Sequence, residues 1–267
     1  RGRRAGIRSG SAGGAASARP GRHPGSGVAD GSREGGRVRG VSKWGLRLTR
    51  RRIVIAVLVG ALVLSGAVAT VVYAMTDRCE WTTVHHGYGK VSCTRGTVRL
   101  SPKTSTSSDE THAALATVDG VNIEENATQT ISATMRTDTQ LRTGDDPNPW
   151  EVAWFLWNYT DDQHFYAVVL KPNGWEISKE DPAYPGAQRF LASGDSPTFP
   201  VGSAFDITVT ITTAEDAVTM TVSVGGAELA TVTDRESPYP SGAVAAYTED
   251  ATITVGPVAV ESGPVPN

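Results

Sequence analysis

Cysteine is nearly absent from this chain: Cys79 and Cys93 are the two among 267 residues. No CxxC-like pair occurs, which argues against a zinc site and leaves Cys79, Cys93, His85 and His86 as the weaker, metal-binding reading of these residues. Gly-x-Ser-x-Gly elbows, phosphate loops, dinucleotide fingerprints and EF-hand spacing are also missing, so the sequence offers no motif for those chemistries. Acidic residues are scarce at one end. Residues 1–52 hold Asp30 and Glu34 against thirteen Arg and one Lys, net +12, which leaves −15 for residues 53–267 of a chain whose total is −3. Charge disappears altogether over residues 53–75.

That uncharged run, twenty-three residues long, reaches about 34 Å as a helix, enough for a hydrocarbon core of about 30 Å. Lys43, Arg47, Arg50, Arg51 and Arg52 flank its N-terminal side. The excess of cations predicts a signal anchor with the N-terminus cytoplasmic and the C-terminal part extracellular. A cleaved signal peptide is the alternative, because residues 67–69 and 72–74 offer small side chains at peptidase spacing; the protein would then be secreted. Residues 1–52, rich in Gly, Arg, Ser and Ala, are expected to form a disordered basic cytoplasmic tail. Its expected neighbour is anionic lipid, with the bilayer engaged through residues 53–75; nucleic acid is not expected, for want of interleaved aromatics or a folded scaffold.

Residues 76–260 read as one extracellular all-β domain, followed by a flexible tail over 261–267. Short alternating runs rich in Val, Thr, Trp and Tyr are separated by Gly, Pro, Asn and Asp, without a helical period. Strands are expected at 81–86, 90–93, 97–100, 112–117, 128–136, 151–159, 164–171, 175–179, 205–213, 217–224, 228–233, 243–247 and 251–260. So many strands with short turns predict a two-sheet antiparallel jelly-roll sandwich. Pro172-Asn173-Gly174 and Gly225-Gly226 are the firmest hairpin turns. In an oxidising compartment Cys79 and Cys93 are expected to pair, closing a loop for which chain entropy gives about 3 kcal/mol.

The densest chemistry lies in residues 148–181. Simple alternation places Trp150, Val152, Trp154, Leu156 and Asn158 on one face, and Glu151, Ala153, Phe155, Trp157 and Tyr159 on the other. Ordinary core packing explains any one of these tryptophans. Together, Trp150, Trp154, Asn158, Tyr166, Trp175 and Lys179 form the candidate ligand face, because aromatic rings stack on sugars while amide and ammonium groups bind hydroxyls. Asp145-Asp146, Asp161-Asp162 and Glu249-Asp250 are turn acids that solvation explains; calcium at Asp161 and Asp162 is the alternative, and no other cofactor is expected. Asn126 and Asn158 each open an N-glycosylation sequon.

Residues 157–166 (WNYTDDQHFY), then Gly174-Trp175-Glu176-Ile177, then residues 241–247 (SGAVAAY), resemble the concanavalin A-like lectin/glucanase superfamily. The likeness is greatest to its 3-keto-disaccharide hydrolase and laminin-G-like jelly rolls and covers residues 91–260. It implies a curved sheet with a carbohydrate-binding concave face, and it permits a structural calcium ion. Asn158 stands where such domains often place an Arg, which counts against activities that depend on that Arg. The Glu-x-Asp-x-x-Glu strand of family 16 glycoside hydrolases is absent. Glu151, Glu176, Glu180, Asp181, Glu249 and Asp250 form no recognisable catalytic pair. The leading expectation is therefore an anchored carbohydrate-binding domain. An anchored glycan or disaccharide hydrolase using Glu151 or Glu176, and a protein-interaction sandwich without a small ligand, are the alternatives.

Overall fold

A computed structural model describes residues 79–263. The expected basic tail 1–52, the apolar span 53–75 and the end of the expected tail, 264–267, lie outside the described residues. Fifteen strands are present and no helix occurs among the described residues: β1 (Trp81–His86), β2 (Lys90–Thr94), β3 (Thr97–Ser101), β4 (Ala113–Ile123), β5 (Thr128–Gln140), β6 (Trp154–Asp161), β7 (His164–Lys171), β8 (Gly174–Glu180), β9 (Gln188–Gly194), β10 (Ala204–Ala214), β11 (Ala217–Val224), β12 (Ala227–Asp234), β13 (Gly242–Glu249), β14 (Ala251–Val255) and β15 (Ala259–Ser262). They form two antiparallel sheets. The front sheet runs β1-β4-β13-β6-β7-β8-β9, and the back sheet runs β12-β11-β10-β5-β14-β3-β2, with β15 also paired to β5.

Alternation explains the layering. Phe155, Trp157, Tyr166, Val168, Ile177 and Val244 of the front sheet share one buried cluster with Leu100, Ile131, Met135, Val209, Met220 and Ile253 of the back sheet. At about 25 cal/mol per Å² of apolar area, this inter-sheet layer is the main stabilising term. The turns obey local chemistry. Gly225 and Gly226 both have positive φ (58° and 81°), as a two-residue type I′ turn requires, and they set the register Val224↔Ala227.

The expected strand 251–260 is two strands, because Pro257 has no N–H for the ladder; β14 and β15 pair successively along β5 on either side of it. β6 begins at Trp154 instead of residue 151, since Glu151 N–H and Val152 N–H donate to the carbonyls of Asn148 and Trp150 in a tight turn. The expected Cys79–Cys93 disulfide is present, with Cα atoms 5.5 Å apart. It joins the segment leading into β1 of the front sheet to β2 of the back sheet.

Candidate functional site

The front sheet carries a second apolar cluster on the face turned away from the core. Leu115, Val152, Trp154, Leu156, Phe165, Ala167, Val169, Ala245 and Tyr247 form it, with Trp150 and Tyr159 packed against them. Trp154 meets Tyr247 edge to face at 5.3 Å, and its indole N–H donates to the Trp150 carbonyl at 2.9 Å.

The two faces of β6 depart from simple alternation. Asn158 adopts φ +51°, and the β6–β7 register shifts between Trp157 and Asp161. This bulge turns Tyr159 onto the outer face with Trp154, where alternation alone puts it opposite. Asn158 is itself fully buried; its Nδ2 donates to the Tyr239 carbonyl at 2.5 Å, and its Oδ1 has no hydrogen-bond partner. The Asn158 sequon is therefore inaccessible in the folded domain, whereas Asn126 is exposed in the turn before β5.

The six residues expected to share a ligand face do not share one. Trp150 and Trp154 are on the outer face, while Tyr166 and Trp175 belong to the inter-sheet core. Lys179 is fully buried on the inner side, 2.9 Å from Asp234, and its ammonium donates to the carbonyls of Glu236 and Ser237 at 2.7 Å each. It also lies 4.4 Å from the Tyr239 ring centroid. The Tyr166 hydroxyl donates to Asp234 at 2.7 Å and accepts from the Tyr239 N–H at 3.0 Å. Burial raises the Asp234 carboxyl, but hydrogen bonds from Lys179, the Glu236 N–H and Tyr166 outweigh it and hold the group below its ordinary pKa. Burial pushes the Tyr166 phenol well above its usual value, so it stays a donor. These groups pin the crossing from β12 to β13 against the front sheet.

Glu151 is also engaged structurally. Buried, it accepts from Arg142 Nε at 2.6 Å and from Asn148 at 2.7 Å, while Arg142 Nη2 donates to Asp250 at 2.9 Å. Ser105 donates to Asp250, and Ser105 Oγ lies 3.2 Å from His112 Nδ1. The resulting hub joins three loops. Acid–base chemistry at Glu151 would have to disengage it from Arg142.

Asp161 and Asp162 close the β6–β7 turn. Asp161 accepts from the Gln163 N–H at 2.8 Å and lies 2.7 Å from His164 Nδ1, and Asp162 accepts from the Tyr159 hydroxyl at 3.0 Å. Among the described residues no group of three or more His, Cys, Asp or Glu side chains is arranged to hold a metal ion.

One cleft gathers exposed aromatic and hydrogen-bonding groups. It measures about 370 Å³ and is lined by Pro149, Trp150, Lys171, Asn173, Glu176, Phe190 and Ser193. Phe190 is 52 % exposed. Lys171 Nζ and Glu176 Oε2 lie 2.5 Å apart, so their charges cancel within the site. Trp150 and Glu176 are thus brought together as candidate site residues, away from Tyr166, Trp175 and Lys179. Sequence reading passed over Phe190 and Ser193 because it assigned no strand to 188–194. The available signal was weak: Phe190 and Leu191 in a run bounded by Gly186 and Gly194, with Leu191 and Ala192 both packing toward the core and so breaking alternation.

No protein-family model matches the chain, and no curated protein matches it either. Solved structures similar to it include the carbohydrate-binding module CBM66 from Bacillus subtilis, at 14% identity over 70% of this chain and 99% of that one, with a TM-score of 0.48. The potassium-bound carbohydrate recognition domain of Emp46p is 12% identical over 70% of this chain and 90% of its own, with a TM-score of 0.49. A Lotus tetragonolobus seed lectin is 11% identical over 71% and 96%, with a TM-score of 0.44. These are likenesses of architecture, and the described strands form the two-sheet antiparallel sandwich that the concanavalin A-like resemblance implies.

Proposed function

We propose that this chain is a membrane-anchored saccharide-binding protein, held by residues 53–75 with its sandwich on the extracellular side. The cleft between Trp150 and Phe190 carries this reading. It combines aromatic walls with Lys171, Asn173 and Ser193 as hydrogen-bonding groups, the composition by which a concave site holds a polyhydroxylated ring. Binding is favoured over hydrolysis because Glu151 and Glu176, the acids considered for catalysis, each sit in a short ion pair with Arg142 and Lys171.

The test is a glycan array probed with the full chain in detergent, with product release assayed on the same polysaccharides. Retention without turnover is the expected result. Turnover would make the protein a hydrolase, and the absence of both would leave the interaction sandwich as the better account.

A further inference from the structure

The charged groups lining the cleft are Lys171 and Glu176, and the strand register makes them partners. Lys171 lies opposite Gly174, which offers no side chain, so its diagonal neighbour on the same face is Glu176. The Lys171 ammonium meets Glu176 Oε2 at 2.5 Å, and Gln188 Nε2 lies 3.5 Å from the other carboxylate oxygen. Both side chains are withdrawn from water, Lys171 being 16 % and Glu176 2 % exposed. An anion reaching Lys171 would have to draw it away from a buried carboxylate. A cation reaching Glu176 would have to draw it away from Lys171, and either exchange breaks a pair in a poorly hydrated place. A hydroxyl group escapes that cost. It can accept an ammonium proton that the Glu176 contact leaves over, while Asn173 and Ser193 supply uncharged donors and acceptors beside it.

We propose, on the strength of the saccharide-binding reading, that the cleft selects neutral glycans and that the Lys171–Glu176 pair turns charged ones away. The probes are neutral gluco-, galacto- and manno-oligosaccharides, each with its C6-oxidised uronate and its 2-amino counterpart, titrated into the full chain in detergent. At least one neutral series is expected to bind more than tenfold more tightly than both of its charged counterparts, with an affinity that added salt leaves within twofold. Glu176→Gln takes the anion away from Lys171. The affinity for the uronate relative to its neutral parent is then expected to rise more than tenfold, a gain that salt screens. Lys171→Met should move the ratio in the same way toward the 2-amino counterpart. Thermal unfolding is the folding control for both variants, and if one fails to fold, the other and the three-way comparison on the unaltered chain decide.

Charged counterparts bound within threefold of the neutral parent, or ratios that neither variant moves, would overturn charge selection. Array binding confined to charged glycans would do the same. If Phe190→Ala abolished such binding, the saccharide reading of the cleft would stand without this inference. Absence of binding to every array glycan, or binding indifferent to Phe190→Ala, would remove the cleft reading and this inference with it.

Discussion

Trp157 and Phe190 mark the two ways in which this sandwich uses an aromatic ring. Trp157 is fully buried between the sheets and stacks on Tyr166 at 6.2 Å, whereas Phe190 is half exposed at the cleft. Trp157→Ala is therefore expected to cost about 3–5 kcal/mol of unfolding free energy. Phe190→Ala should stay within about 0.5 kcal/mol while abolishing glycan retention. Urea unfolding and array binding of both variants check the pair. Lys179→Met would take from the buried Asp234 carboxylate its nearest cation and leave Arg189 at 3.6 Å as the remaining one, and about 3 kcal/mol should be lost. Adding Asp234→Asn to that variant should cost less than the sum of the single changes. Asp234 also sets an acid limb. Its carboxyl lies below its ordinary value in the fold, so its stabilising contribution is complete above the unfolded pKa of about 3.9 and is lost as pH falls through the lower folded value. Unfolding midpoints measured from neutral pH downward should fall in that range, and Asp234→Asn should flatten the fall.

Gly174 does more than turn a hairpin. With φ 131° and the Gly194 carbonyl against the place a Cβ would occupy, it fixes the β7–β8 turn to β9, and its neighbours Asn173 and Ser193 line the cleft. Gly174→Ala is expected to destabilise the domain by more than about 1 kcal/mol and to weaken glycan retention together with it, as thermal unfolding and array binding would show. Much of the element plan was readable beforehand. β7 and β11 lie where the runs 164–171 and 217–224 place them, because each has apolar side chains to bury and a turn at its end; β1 also lies at 81–86, although Trp81 is its one buried residue. β9 was not readable, since Phe190 and Ser193 point away from the core and leave little apolar alternation. The faces of β6 were misread beyond residue 157: nothing in the letters Asn158-Tyr159 announces a left-handed Asn, and the bulge there reverses every later side chain. For the site, Trp150 and Glu176 were legible as aromatic and acid, but Tyr166, Trp175 and Lys179 were not separable from them until the register Tyr166↔Lys179 placed those two groups on the inner side, where Trp175 also packs.

Over the whole chain, the division of charge and hydropathy predicts where the protein goes. If residues 53–75 anchor it, alkaline extraction should leave the chain in the membrane fraction, and protease added to intact cells should remove the sandwich. Recovery in the medium would point instead to cleavage after the apolar run. Within the sandwich, stability is shared between an inter-sheet core and two polar hubs, one at Arg142 and one at Lys179. Each hub fixes loops that cross between the sheets, so the loops near the cleft are held from behind.

The disulfide then takes on a mechanical meaning. β1 is an edge strand of the front sheet, paired only to β4, and β2 is the edge of the back sheet. Tension applied to the chain ahead of Cys79 would, without the bond to Cys93, unzip β1 from β4 one rung at a time. With the bond in place the load enters β2 as well, and both sheets must be sheared together before the domain gives way. A domain tethered at that end and gripping a surface glycan would be pulled from that very point, and reduction of Cys79–Cys93 should lower the force at which it yields.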